Sequence, residues 1–106
     1  MLGEGVLPRP VDPDAAPLLV LVADDNPTDR LILGRLVERL GHRVCLAEDG
    51  EQAVSLFVER QPDIVLLDAL MPVMDGFEAA REIKQRAGED LVPVIFLTSL
   101  TETDAL

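Results

Sequence analysis

Asp24 and Asp25 follow the apolar run of residues 18–23 (LLVLVA), Asp68 follows that of residues 64–67 (IVLL), and Thr98 and Ser99 follow that of residues 94–97 (VIFL). Polar oxygen groups therefore recur at the C-terminal ends of short apolar runs. If the first and third runs are neighbouring strands, the carboxylates of Asp24, Asp25 and Asp68 converge. Like charges so close raise each other's pKa, and a fold tolerates them only with a compensating cation or proton. A donor set of oxygens alone suits Mg²⁺, Mn²⁺ or Ca²⁺, and a shallow, partly hydrated site favours Mg²⁺, which keeps several waters. Taken singly, each residue has an ordinary explanation. Aspartate after a strand caps helices and forms turns, and threonine often ends a strand. The repeated placement is what argues for chemistry. His42 and Cys45 are the single histidine and the single cysteine, so neither a zinc site nor an internal disulfide can be built. His42 reads as a solvated turn residue and Cys45 as packed within a strand.

These side chains need a scaffold that brings the run ends together. Residues 18–23, 43–47 (RVCLA), 64–67 and 94–97 read as strands. Short, wholly apolar strands suit a parallel sheet covered on both faces. Asn26-Pro27 carries helix-start signals, Leu33, Leu36, Val37 and Leu40 mark an inner helical face, and Gly41 stops the helix. A turn at Glu48-Asp49-Gly50 leads to a second helix with Ala53, Leu56 and Phe57 inside, closed by Pro62. A loop holding Met71-Pro72 and Asp75-Gly76 precedes a third helix over roughly Phe77–Ala87, with Gly76, Ala80, Ile83 and Ala87 on one side. Thr101–Leu106 looks like the start of a further helix. The order β-α-β-α-β-α-β predicts an α/β fold, a doubly wound parallel sheet with helices on both faces. Right-handed crossovers place the strand C-termini along one edge, where ligand chemistry sits in such folds. Residues 1–16, with several prolines and glycines, read as a flexible leader, and residues 17–106 as one domain.

With these elements in place the sequence resembles the response-regulator receiver domains of the CheY-like family. The resemblance is carried by VLVADDNPTDR (the acidic pair), AEDGEQAV, DIVLLDALMPVMDGFEAAREIK and VPVIFLTS, and covers about residues 18–106. Its most specific element is the spacing Asp-x-x-Met-Pro-x-Met-Asp-Gly from Asp68 to Gly76. It implies a flavodoxin-like sheet of order 2-1-3-4-5. It also implies that Asp68 accepts a phosphoryl group from a histidine kinase or a histidine phosphotransfer protein. Asp25, Asp68 and the backbone carbonyl of Leu70 would bind Mg²⁺ directly, with Asp24 acting mainly through a bound water. Thr98 would contact the phosphoryl group and report the phosphorylated state, while Leu70, Met71, Pro72, Ser99 and Leu100 flank the site. Such a domain is a signalling module that promotes its own phosphorylation and dephosphorylation rather than an ordinary enzyme. Receivers also carry a lysine at the end of a fifth strand. The single lysine here, Lys84, falls on the third helix, and the chain stops at Leu106 before a fifth strand and fifth helix. The expectation is a domain incomplete at its C-terminus, cut from a longer regulator whose output domain follows, and able to associate with itself in this form.

Composition bounds the alternatives. A chain of 106 residues suits one small domain, and 48% hydrophobic residues with 3% aromatic place Leu, Val, Ile and Ala in its core. A net charge of −11 argues against direct contact with nucleic acid. No apolar run is long enough to span a membrane, and the N-terminus lacks a secretory signal, so the expectation is a cytoplasmic protein. A Walker-type NTPase would need a GxxxxGK[ST] loop, which is absent. A haloacid-dehalogenase-like phosphatase would need an aspartate two positions after its nucleophile, where Leu70 stands. A pseudo-receiver, an interaction module not regulated by phosphorylation, is the remaining alternative, and phosphorylation of Asp68 separates it from the main reading.

Overall fold

The structure is a computed structural model that describes residues 16–97. The leader up to residue 15, Thr98, Ser99, Leu100 and the helix expected over Thr101–Leu106 lie outside the described residues. In chain order the elements are β1 (Leu19–Ala23), α1 (Pro27–Arg39), β2 (Arg43–Ala47), α2 (Gly50–Arg60), β3 (Ile64–Asp68), α3 (Gly76–Ala87) and β4 (Val94–Leu97). The strands form one sheet of order β2-β1-β3-β4, parallel throughout, which is the expected doubly wound arrangement.

The alternation along each strand explains the layers. Leu19, Leu21 and Ala23 of β1 point to one face with Cys45, Ala47, Val65 and Leu67, where they meet Ala53, Val54 and Phe57 of α2 and Ala79, Ala80 and Ile83 of α3. Val20 and Val22 point to the other face and meet Val37 of α1, with Leu33, Val44, Ile64 and Leu66 around them. Side chains of period two feed both layers, so β1 is buried along its whole length. Each helix starts on an acceptor side chain. Asn26 Oδ1 accepts from the N–H groups of Thr28 and Asp29, Asp49 Oδ1 from Gln52, and Asp75 Oδ1 from Glu78. Gln61, in the left-handed region at φ 51°, ends α2 ahead of Pro62.

Two expectations need correction. The buried face of α1 passes through Arg30, Leu33, Gly34 and Val37, whereas Leu36 and Leu40 are 48% and 64% exposed. Gly34 sets this phase. A Cβ there would meet Leu46 Cδ2 at 3.3 Å, so the helix settles close onto β2 through its glycine. Helical geometry then turns Leu36 and Leu40 to the flank away from β2. His42 is also more than a solvated turn residue: it is half-buried, and its Nδ1 accepts the Leu18 N–H at 3.0 Å. Cys45 is buried as expected, and burial pushes its thiol pKa up.

Candidate functional site

Parallel register builds the site. Ala23 pairs with both Ala47 and Leu67, and Asp68 pairs with Leu97, so the ends of all four strands line up on one edge. Asp24, one residue beyond Ala23, comes level with Asp68 across the β1–β3 pair. The Asp24 N–H still bonds the Ala47 carbonyl at 3.1 Å, which extends the ladder by one residue before the chain turns into α1.

Asp24 and Asp68 are buried, Asp25 is exposed, and one carboxylate oxygen from each lies within 4.8 Å of the other two. Asp24 Oδ1 accepts the Asn26 N–H at 2.9 Å, and Asp68 Oδ1 accepts the Leu70 N–H at 3.1 Å. Burial pushes the Asp24 carboxyl pKa above its ordinary value. The Asn26 N–H opposes that push, the charges of Asp29 and Asp25 add to it, and a hydrogen bond with Asp68 offsets part of it. A buried carboxyl standing beside two further acids is an arrangement that a partner of opposite charge would relieve. The donors are all oxygen, two recessed and one open to water, which fits a hard divalent cation that retains part of its hydration. A hollow of about 610 Å³ lies elsewhere, bordered by Phe57, Pro62, Arg86 and Leu91, and includes none of these carboxylates. Donor chemistry, rather than concavity, locates the site.

The loop from Ala69 to Asp75 closes over Asp68. The Gly76 N–H bonds the Ala69 carbonyl at 3.0 Å, and a Cβ on Gly76 would collide with the carbonyl oxygen of Asp68. The Gly50 N–H bonds the Met74 carbonyl at 3.1 Å, and a Cβ there would collide with that same carbonyl oxygen. Met71 is buried in the core, while Leu70 and Pro72 are exposed. Val73 sits at φ 68°, and the Met74 N–H reaches back to the Pro72 carbonyl at 2.7 Å around it. The structure thus brings together Asp24, Asp25 and Asp68, with Leu70 adjoining. Thr98, Ser99 and Leu100 lie outside the described residues.

Sequence reasoning missed Arg30. Its Nη1 donates to the Asp24 carbonyl at 2.8 Å, and its Nη2 stands 3.7 Å from Glu48 Oε1. A signal was present: Arg30 is three residues before Leu33 and seven before Val37, on the buried stripe of α1. A charged residue in an apolar phase calls for a buried acceptor.

The chain matches the family described as the response regulator receiver domain over residues 20–106. It is 40% identical over 86 residues to Protein PilH of Pseudomonas aeruginosa, covering 80% of this chain and 71% of that protein. It is 42% identical over 98 residues to the gliding motility regulatory protein of Myxococcus xanthus, covering 91% of this chain but 13% of that protein. Among solved structures it resembles the receiver domain of a sensor histidine kinase from P. aeruginosa PAO1, solved with a magnesium ion coordinated in its active site cleft. That likeness has a TM-score of 0.74 and 35% identity, over 83% of this chain and 72% of the other. It also resembles a Thermotoga maritima CheB response regulator domain, with a TM-score of 0.72 and 33% identity, over 83% of this chain and 65% of that one. Strand order, acidic edge and sequence likeness converge: the chain belongs to the response regulator receiver domains of two-component systems.

Proposed function

We propose that this domain accepts a phosphoryl group on Asp68 in a Mg²⁺-dependent transfer from a histidine kinase or histidine phosphotransfer protein, and that the phosphorylated state controls a C-terminal output domain. The observation that carries this reading is the convergence of Asp24, Asp25 and Asp68 within 4.8 Å at the strand ends. A receiver domain that resembles this chain holds magnesium in its active site cleft, and a Borrelia burgdorferi CheY, 29% identical with a TM-score of 0.72 over 84% of this chain and 67% of that one, was solved with BeF₃ and Mg²⁺ in complex with CheX. Asp25, Asp68 and the Leu70 carbonyl would hold the ion directly, with Asp24 acting mainly through water. When bound, Mg²⁺ supplies positive charge that offsets the carboxylates and the equatorial phosphoryl oxygens.

The chain's own residues do the rest. An Asp68 carboxylate oxygen attacks phosphorus in line with the departing imidazole. The new O–P bond forms as the N–P bond of phosphohistidine breaks, and the imidazole nitrogen leaves with the electron pair. The Leu70 N–H on Asp68 Oδ1 and the packing of Gly76 against the Asp68 backbone hold the nucleophile in one orientation. Thr98 would take a phosphoryl oxygen after transfer, flanked by Ser99 and Leu100. The test uses a small phosphodonor with Mg²⁺ on the intact protein, followed by intact mass. One added phosphoryl group is expected on the wild type and none on Asp68→Asn. A mass gain that persists in the variant places the acceptor elsewhere. No gain in either favours an interaction module that is not phosphorylated.

A further inference from the structure

The acidic edge is bounded by loops, and one cation joins two of them. Arg30 lies at the end of the first turn of α1, with its side chain 16% exposed. Its Nη1 donates at 2.8 Å to the carbonyl oxygen of Asp24, in the peptide that leads into Asp25. The side chain of the same Asp24 is fixed separately, by the Asn26 N–H at 2.9 Å. The turn Asp24-Asp25-Asn26 is therefore pinned twice, once through its backbone and once through a carboxylate. Asp25 is the one carboxylate of the cluster that burial does not immobilise. On the other side, Arg30 Nη2 stands 3.7 Å from Glu48, at the end of β2, and Glu48 is bound in turn through its N–H to Gln52 Oε1 at 2.9 Å.

We propose that Arg30 is a positioning residue of the acidic site: by holding the Asp24 carbonyl it sets the peptide from which Asp25 projects, and so the spacing of the exposed carboxylate from the two buried ones. The inference rests on the reading of Asp24, Asp25 and Asp68 as the Mg²⁺ site. The fork of a guanidinium is what the geometry requires, because one nitrogen serves the carbonyl while another faces Glu48; a lysine ammonium reaches only one of them with the same aim. Glu48 is largely exposed and its contact is long, so the carbonyl bond carries most of the effect.

The test titrates Mg²⁺ into the intact protein, following amide shifts near Asp25 and Asp68, and measures the Mg²⁺ dependence of Asp68 phosphorylation by acetyl phosphate. Arg30→Met keeps the aliphatic stem and removes the fork. The half-saturating Mg²⁺ concentration should rise about 10-fold in this variant, as when an outer-shell group is lost, while the rate at saturating Mg²⁺ changes by less than about two-fold. Arg30→Lys should recover part of the affinity, and Glu48→Gln should stay within about two-fold of wild type. A purely structural role would instead lower the saturating rate in step with the metal-free melting temperature, and that result overturns the inference. So does an Arg30→Met protein whose Mg²⁺ affinity is unchanged, which would leave the proposed function standing. A wild type that takes up neither Mg²⁺ nor a phosphoryl group overturns both.

Discussion

Asp24 is the residue where stability and function pull apart. Its carboxyl is buried beside two other acids, and burial raises its pKa above the ordinary 3.8. A carboxyl whose folded pKa is raised binds its proton more tightly when folded. Its contribution to stability is therefore fully present below the unfolded pKa and is lost as pH rises through the raised value. At neutral pH without metal, the ionised group destabilises the fold. Asp24→Asn should then raise the metal-free melting temperature at pH 7, since the amide oxygen still accepts the Asn26 N–H. The gain over wild type should shrink as pH falls toward 4, and added Mg²⁺ should stabilise the variant less than the wild type. Urea melts at several pH values, with and without metal, check this. A gain that stays constant with pH would show that desolvation of the charge is not its source.

At the scale of elements, the loop between β3 and α3 determines how Asp68 is presented. Two neighbouring positions make opposite demands on the side chain. Gly76 opens α3 where any Cβ would strike the Asp68 carbonyl. Gly76→Ala should cost roughly 1–3 kcal/mol, as overpacking of a tight contact does. It should also slow phosphorylation of Asp68 by shifting the nucleophile's own backbone. Val73 is the reverse case: a β-branched residue in the left-handed region, with its side chain 76% exposed. Val73→Gly removes about 1–2 kcal/mol of steric cost while forfeiting almost no packing, and the added chain entropy takes back part of that. The net gain should be about 0.5–1 kcal/mol by chemical denaturation. Equal destabilisation by both substitutions would mean the loop is governed by neither contact.

For the molecule as a whole, the sheet is covered on its inner strands, and β4 is its edge strand among the described residues. No described residue pairs with the outer edge of β4, where Ile95 and Phe96 are 47% and 43% exposed, Phe96 resting on Phe77 with ring centroids 4.8 Å apart. An apolar, uncharged strand edge invites pairing with another chain. On α1, Leu36 and Leu40 add further exposed apolar surface. The net charge of −11 opposes association of like copies. The 106-residue chain should therefore self-associate, and should do so more strongly as salt screens that repulsion. Ile95→Lys should reverse the effect. Light scattering over a dilution series at low and high salt measures it, and a chain that stays monomeric under both conditions would refute it.

Much of this protein could be read from its residues in order. Short, wholly apolar runs, the cap at Asn26 and the turns at Asp49-Gly50 and Asp75-Gly76 mark where strands and helices begin, because both are local consequences of side-chain pattern. Alternation of the two element types implies a parallel sheet, and the Asp68–Gly76 spacing marks the acceptor loop. Local pattern did not establish the phase of α1. Leu33, Leu36, Val37 and Leu40 obey helical periodicity, yet contact with β2 through Gly34 turned Leu36 and Leu40 out. Nor could it name the partner of Arg30: the spacing to Leu33 and Val37 puts this residue on the inner stripe, but its acceptor is a backbone carbonyl and carries no side-chain signal. The convergence of Asp24 and Asp68, separated by 44 residues, needed the register of β1 with β3. Register is a property of paired strands, and only the tertiary structure decides it.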